Sequence, residues 1–300
     1  MSTNDQSPSN ARPSRWRRIV WIVAGAIILT WVGNALFPDL AYLGKDRVAV
    51  VRIEGPILDS QQTINDLRPF SENPRVPAIV LRIDSPGGGV APSQEIYNAV
   101  KRLRDTYHKT VIASMGTVAA SGGYYIAVAS DRILANPGTL TGSIGVIMQL
   151  ANFENLLKKI GVKNIVIKSG RFKDIASPFR PMTDDDRRLL QSVMDDVHQQ
   201  FIEAVAEGRS LDVADVEQLA DGRVFSGKQA KDLLLVDDLG DLQDAIRLAG
   251  ELTGIEGEPP IVEPPKRFSF RQLFSFFPAG QAGSLLGHIS WIPLMYLMVL

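Results

Sequence analysis

The chain has no cysteine in its 300 residues, which excludes disulfides, a thiolate nucleophile and cysteine metal ligands. That absence limits chemistry more than compartment, because an extracytoplasmic protein need not use disulfides. Histidine is nearly as scarce, with only His108, His198 and His288. His108 sits beside a lysine in a polar turn, His198 in a long amphipathic pattern and His288 in an apolar tail, so none has the setting of a catalytic triad. An excess of charge of either sign is missing too. The 32 basic and 33 acidic residues are interspersed and leave a net charge of -1, which removes the compositional case for nucleic acid. Nor is there a phosphate loop. SPGGGV, at Ser85–Val90, has neither the GxxxxGK[ST] nor the GxGxxG spacing.

Two stretches lack charge altogether. Residues 19–37, IVWIVAGAIILTWVGNALF, follow a polar segment carrying Arg12, Arg15, Arg17 and Arg18. Such a run matches the ~20 residues that a helix needs to cross a bilayer, and the arginines favour a cytoplasmic N-terminus. The expected organisation is a basic segment at 1–18, a transmembrane anchor at 19–37 and a globular part outside the membrane. A cleavable signal peptide is the competing reading. Its apolar region is usually ~7–15 residues and ends at a small-x-small site, whereas this run is longer and ends in Asn34-Ala35-Leu36-Phe37-Pro38. The second uncharged stretch lies beyond Arg271 and ends in LLGHISWIPLMYLMVL. It reads as a membrane-contacting segment, an oligomer interface or a peptide lying in the protein's own substrate groove. Pro278, Gly280, Gly283 and Pro293 oppose a continuous spanning helix.

Between these stretches, strand and helix patterns alternate. Strands are expected at Arg47–Ile57, Ala78–Asp84, Thr110–Met115, Arg132–Asn136 and Asn164–Ser169. The second is apolar enough to be buried on both faces. SPGGGV then leads into a helix with Ile96, Val100 and Leu103 on its apolar side. A long helix capped by Thr183 carries Leu189, Val193, Val197, Phe201 and Val205 along one stripe. Shorter helices are expected near Val213–Leu219 and Asp241–Leu252. This alternation implies an α/β domain with much parallel sheet over residues 45–255, followed by a Pro/Gly-rich linker and the apolar tail at 256–300.

The chemistry centres on MGTVAASGGYYIA, Met115–Ala127. Ser121 stands among small residues at the start of a helix, where a substrate backbone can approach its hydroxyl and free N–H groups face developing negative charge. A tight strand-to-helix junction explains the same segment equally well. A serine nucleophile needs a base, and without a suitable histidine a lysine of depressed pKa can serve. Lys173 follows the fifth expected strand, where the chain can return over the site. Lys168 alternates along that strand, and Lys158 and Lys159 lie on an amphipathic helix, so these have ordinary structural explanations.

Three blocks carry a wider likeness: IDSPGGGV at Ile83–Val90, the long segment Ala113–Val146 that contains Ser121 and TGSIGV, and KSGRFKDIASPFRPMT at Lys168–Thr183. With GRVFSGKQAKDLLLVDDLG at Gly222–Gly240, the chain over roughly residues 47–255 resembles the signal peptide peptidase A family, membrane-anchored Ser-Lys peptidases of bacteria also called protease IV. The resemblance implies a crotonase/Clp-protease-like spiral α/β domain. It implies Ser121 as nucleophile, Lys173 as general base, Ser143 as the hydroxyl that orients the lysine amine, and an oxyanion hole from the backbone of Gly122 and of Gly87 or Gly88. It implies no metal or other cofactor, and places the domain on the outer side of the inner (cytoplasmic) membrane.

The implied reaction is acyl transfer, in which an extended hydrophobic peptide, notably a signal-peptide remnant, is cut through an acyl-enzyme. Family members of about twice this length hold lysine and serine in two similar domains. With one domain here, the expectation is a homo-oligomer whose dyad joins Ser121 of one protomer to Lys173 of its neighbour. Two other readings compete: a crotonase-type acyl-CoA enzyme, against which the anchor and the Ser-Lys pair argue, and a catalytically inactive membrane scaffold, which would be expected to lose at least one of Ser121, Lys173 and Ser143.

Overall fold

The structure, a computed structural model, describes residues 45–265 and 295–297 together with Val23. The expected anchor at 19–37 and most of the apolar tail lie outside the described residues. Among the described residues no helix is long and apolar enough to cross a membrane.

The body is an eight-stranded sheet in the order β7-β6-β4-β2-β1-β9, with β5 joined to β4 and β8 joined to β5. Here β1 is Val48–Glu54, β2 Ala78–Ser85, β4 Thr110–Ala120, β5 Arg132–Ala135, β6 Leu140–Gly142, β7 Val224–Ser226, β8 Asp238–Leu239 and β9 Ile261–Val262. Every pairing is parallel except that of β6 with β7. Burial on both faces explains why β1 and β2 read as apolar runs rather than alternating ones. Val48, Val50, Ala78 and Val80 pack with Ala245, Ile246 and Ala249 of α8, Leu242–Thr253, on one face. Ala49, Val51, Ile53, Ile79, Leu81 and Ile83 enter the larger core on the other. That core also takes Ile96, Val100 and Leu103 of α2, Val90–Asp105, as the helical spacing requires.

The central strand, β4, does the most to build the site. It runs five residues past the expected end at Met115 and changes partner on the way. Ile112–Met115 pair with β5, whereas Val118–Ala120 pair with β6. The break is fixed from β2. Its register against β4 jumps between Ile83 and Ser85, and the intervening Asp84 carboxylate accepts the Val118 N–H at 3.1 Å. A Cβ at Gly116 would lie 2.7 Å from that carboxyl group, so only glycine lets the strand bend there.

One expected strand is absent. Asn164–Ser169 has no strand pairing, with Ile165 83% and Ile167 98% exposed. Its apolar alternation lacks a neighbouring edge with which to exchange hydrogen bonds, and a lone strand has no stability in water. The helix before it, α4 at Glu154–Lys159, buries nothing. The long helix α5, Asp184–Arg209, does form, with the Thr183–Asp186 capping box. Its stripe divides: Val197, Phe201 and Val205 are buried, but Leu189 and Val193 are exposed.

Candidate active site

Ser121 lies at the end of β4, where α3, Gly122–Ala127, begins. Its backbone has φ 55° and ψ −118°, a conformation that costs a non-glycine residue of order 1–3 kcal/mol and persists only where surroundings impose it. Those surroundings are dense. The Ser121 N–H donates to Gly142 C=O at 2.8 Å, and its C=O accepts from Tyr125 N–H at 2.8 Å. Tyr124 is wholly buried and donates its hydroxyl to Leu235 C=O at 2.8 Å. The Tyr125 ring packs 4.9 Å from Tyr97 of α2 and 5.0 Å from Phe201 of α5. Tyr125 therefore anchors α3 to both helices, while Tyr124 ties it to the backbone at Leu235. Ser121 itself is 1% exposed, and its Oγ has no hydrogen-bond partner among the described residues. A buried hydroxyl left unpaired costs about 1–3 kcal/mol, so a strained, unpaired serine here is a candidate functional group rather than a structural one.

Ser143 arrives beside it by sheet register. Because Ala120 pairs with Gly142 in parallel strands, the next residues of both chains emerge side by side. Ser143 also has positive φ, 51°, and its N–H donates to Arg223 C=O at 2.9 Å. Gly142, at φ 76°, cannot be larger, since a Cβ would meet the Phe225 ring at 2.5 Å. Beyond Ser143 opens a cavity of about 810 Å³ lined also by Met194, His198 and Arg223. His198, expected on a helix surface, turns its Nε2 inward, where it is buried without a partner among the described residues.

The glycine loop forms a short strand, β3, Gly87–Gly89. A Cβ on Gly122 would lie 2.5 Å from Ser93 Oγ and 3.2 Å from the Gly88 nitrogen, so the two loops touch. The amides of β3 are not equivalent. Gly87 N–H donates to Ser85 Oγ at 3.1 Å and Gly89 N–H to Ile57 C=O at 2.8 Å, which leaves Gly88 to face outward. Gly122 opens its helix and has no intrahelical acceptor for its N–H. Ser85 and Ser93, both fully buried, were not singled out in the sequence; Ser93 Oγ donates to Gly89 C=O at 2.8 Å and fixes the loop. Their only signal was placement on either side of the glycines.

Lys173 is elsewhere in kind. It is exposed in a turn of the segment Leu150–Met182, and it does not reach the Ser121 hydroxyl. The turn is tied down by ions: Arg180 bridges Asp174 and Asp186, and Lys168 pairs with Asp174 at 2.6 Å. Arg180 and then Lys168 hold the Asp174 carboxyl down at about 2. Lys109 is the lysine that burial pushes below the usual range, but it is no base for Ser121. It lies just before the start of β4, the far end from Ser121, and its Nζ donates to the carbonyls of Asn73 and Val76 ahead of β2.

Residues 104–256 match the family described as peptidase family S49. The chain is 43% identical over 226 residues to a Synechocystis protein named "Putative protease", covering 74% of this chain and 81% of that one. It is 38% identical to the "Putative signal peptide peptidase SppA" of Enterococcus faecium, over 62% of this chain and 54% of that one. It is 34% identical to "Protease 4" of Haemophilus influenzae, over 70% of this chain but only 35% of that one.

Proposed function

The chain belongs to peptidase family S49, the signal peptide peptidase A and protease IV family, and on that premise we propose a membrane-anchored serine endopeptidase acting on hydrophobic peptides through a Ser121–Lys173 dyad. The observation that carries this reading is the Ser121 hydroxyl: buried, unpartnered and on a strained backbone, beside the outward amides of Gly122 and Gly88.

In this reading Lys173 takes the Ser121 proton as the oxygen attacks a peptide carbonyl; when the tetrahedral adduct collapses the C–N bond breaks, and the lysine returns the proton to the leaving amine. The Gly122 and Gly88 N–H groups hold the oxyanion, with Gly88 favoured over Gly87 because the Gly87 amide is already spent on Ser85. Ser143 orients the lysine amine, and water releases the acyl-enzyme. The base comes from a neighbouring protomer. Exposed Phe153, Leu156, Ile160, Ile165, Ile167 and Phe179 make Leu150–Met182 an apolar arm that needs a cover, and the cavity beside Ser143 leaves room for an incoming lysine. The anchor at 19–37 rests on the uncharged run and its flanking arginines. It would hold the site outside the inner membrane, where remnant signal peptides are the expected substrates.

The test compares the full chain with Ser121→Ala and Lys173→Ala on a fluorogenic apolar peptide. Each variant should lose on the order of 10⁴-fold or more in kcat. Mixed assemblies of the two variants should regain activity, since some sites then combine an intact serine with an intact lysine. The wild-type rate should climb with pH as an amine base deprotonates. Equal rates in all three chains would overturn the dyad, and verified mixed assemblies without activity would overturn its sharing between protomers.

A further inference from the structure

The two proposed oxyanion donors stand on separate segments of unequal stiffness. Gly122 opens α3, every residue of which is buried. Gly88 lies in β3, a run of three glycines, and glycine has the least backbone preference of any residue. An amide in such a run keeps one direction where the peptide groups around it are pinned.

Four consecutive peptide groups are pinned here. Ser85 Oγ accepts from Gly87 N–H at 3.1 Å, Ile57 N–H donates to Gly87 C=O at 2.9 Å, Ile57 C=O accepts from Gly89 N–H at 2.8 Å, and Ser93 Oγ donates to Gly89 C=O at 2.8 Å. In a planar trans peptide the N–H and C=O point opposite ways, so the bond from Ile57 to Gly87 C=O turns Gly88 N–H away from Ile57.

Ser93 also meets the second segment. A helical serine commonly bonds the carbonyl four residues back, and that accounts for the bond to Gly89. It does not account for the other side of the hydroxyl. A Cβ at Gly122 would fall 2.5 Å from Ser93 Oγ and 3.2 Å from the Gly88 nitrogen. Ser93 therefore bonds the strand that carries one donor and abuts the residue that carries the other. It is fully buried on α2, whose Ile96, Val100 and Leu103 are fixed in the core.

We propose that Ser93 is a positioning residue for the oxyanion hole: its hydroxyl sets the Gly88 amide relative to that of Gly122 without touching substrate. This rests on the reading of those two amides as the donors. Negative charge develops on the carbonyl oxygen as Ser121 attacks, so donors aimed beforehand lower the barrier and leave ground-state binding alone. Loss of the hydroxyl then falls on kcat and not on KM.

The experiment compares the full chain with Ser93→Ala on a fluorogenic apolar peptide, with active sites counted by complete labelling with a fluorophosphonate. The variant should lose about 10- to 100-fold in kcat per site at unchanged KM. Affinity for a peptide aldehyde, whose adduct with Ser121 places an oxyanion in the hole, should fall by the same factor as kcat/KM, while an uncleavable reduced-bond peptide binds as before. An unchanged kcat per site overturns the proposal, and so does a loss shared equally by the aldehyde and the uncleavable peptide. Should Ser93→Ala fail to assemble, Ser93→Cys, which keeps the shape with a weaker donor, carries the same test and should show the same split at a smaller loss. A wild-type chain without activity overturns the peptidase reading instead. Hydrogen exchange at Gly87–Gly89 then still decides whether Ser93 pins the strand: faster exchange in Ser93→Ala supports it and equal exchange overturns it.

Discussion

From Ser121 to Ser130 every residue is buried, whereas from Leu150 to Met182 none is. The first region holds the proposed nucleophile and the second the proposed base. Around Ser121 the chain meets itself at every side: β6 sets the register, Asp84 bends β4, and Tyr124 and Tyr125 lock the helix. Around Lys173 order comes from a few ion pairs, and large apolar side chains stay exposed among the described residues. The Ser121 site is thus shaped inside one chain, while Lys173, its proposed base, sits on an arm whose apolar side chains are exposed. Under the proposed sharing between protomers these exposed apolar residues would be interface residues, and their strand and helix patterns in the sequence have no core of their own chain to join.

The comparison breaks most sharply at Gly122. Gly122→Ala would push a methyl group into Ser93 Oγ and against the Gly88 amide. The expected result is a loss of about 10²–10³-fold in kcat, the cost of disturbing an oxyanion donor, measured by steady-state kinetics with assembly unchanged. A milder and opposite pattern is expected from the arm. Ile165→Asp with Ile167→Asp should weaken association about 10- to 100-fold by size-exclusion and concentration-dependent activity, as loss of an apolar interface contact of ~1–3 kcal/mol does. Thermal stability of the body should hold, since both side chains are exposed in one chain. Tyr124→Phe removes the hydroxyl that satisfies Leu235 C=O and should cost about 1–3 kcal/mol, seen as a few degrees in Tm, without altering association.

The smallest effect should come from acid. Arg180 and Lys168 hold the Asp174 carboxyl down at about 2, and Arg180 with the Thr183 amide holds Asp186 well below the carboxylate range. A carboxyl group whose folded-state pKa is depressed stabilises fully above its unfolded value, near 4, and loses that contribution as pH falls through the folded value. The turn carrying Lys173 should therefore loosen between about pH 4 and pH 2, with protection factors at Phe172–Arg180 falling before those at Tyr124–Val128. If both regions loosen together, the division between them is wrong.

Much of the body was legible because its signals are local. Apolar runs bounded by Gly and Pro became β1 and β2, the i, i+4 stripe became α5, and Thr183 capped where its spacing to Asp186 allows. The segment Asn164–Ser169 misled for the same reason, since alternation records what a side chain avoids, not which partner it finds. Gly87–Gly89 was readable as a loop but not as a strand, because glycine has no strand signature of its own.

By itself the sequence bounded the chemistry available: no thiol, few histidines, a serine among small residues, and lysines that could serve as a base where histidine is scarce. It also indicated an α/β domain with much parallel sheet, since strands buried on both faces read as continuous apolar runs. The tertiary structure alone decided that Ser121 takes a strained backbone with an unpartnered hydroxyl, that Ser143 emerges beside it, and that Gly88 rather than Gly87 keeps its amide outward. It also decided that Lys173 does not meet Ser121 within one chain. Each of these depends on contacts between residues distant along the chain, and no local pattern encodes a contact's other half.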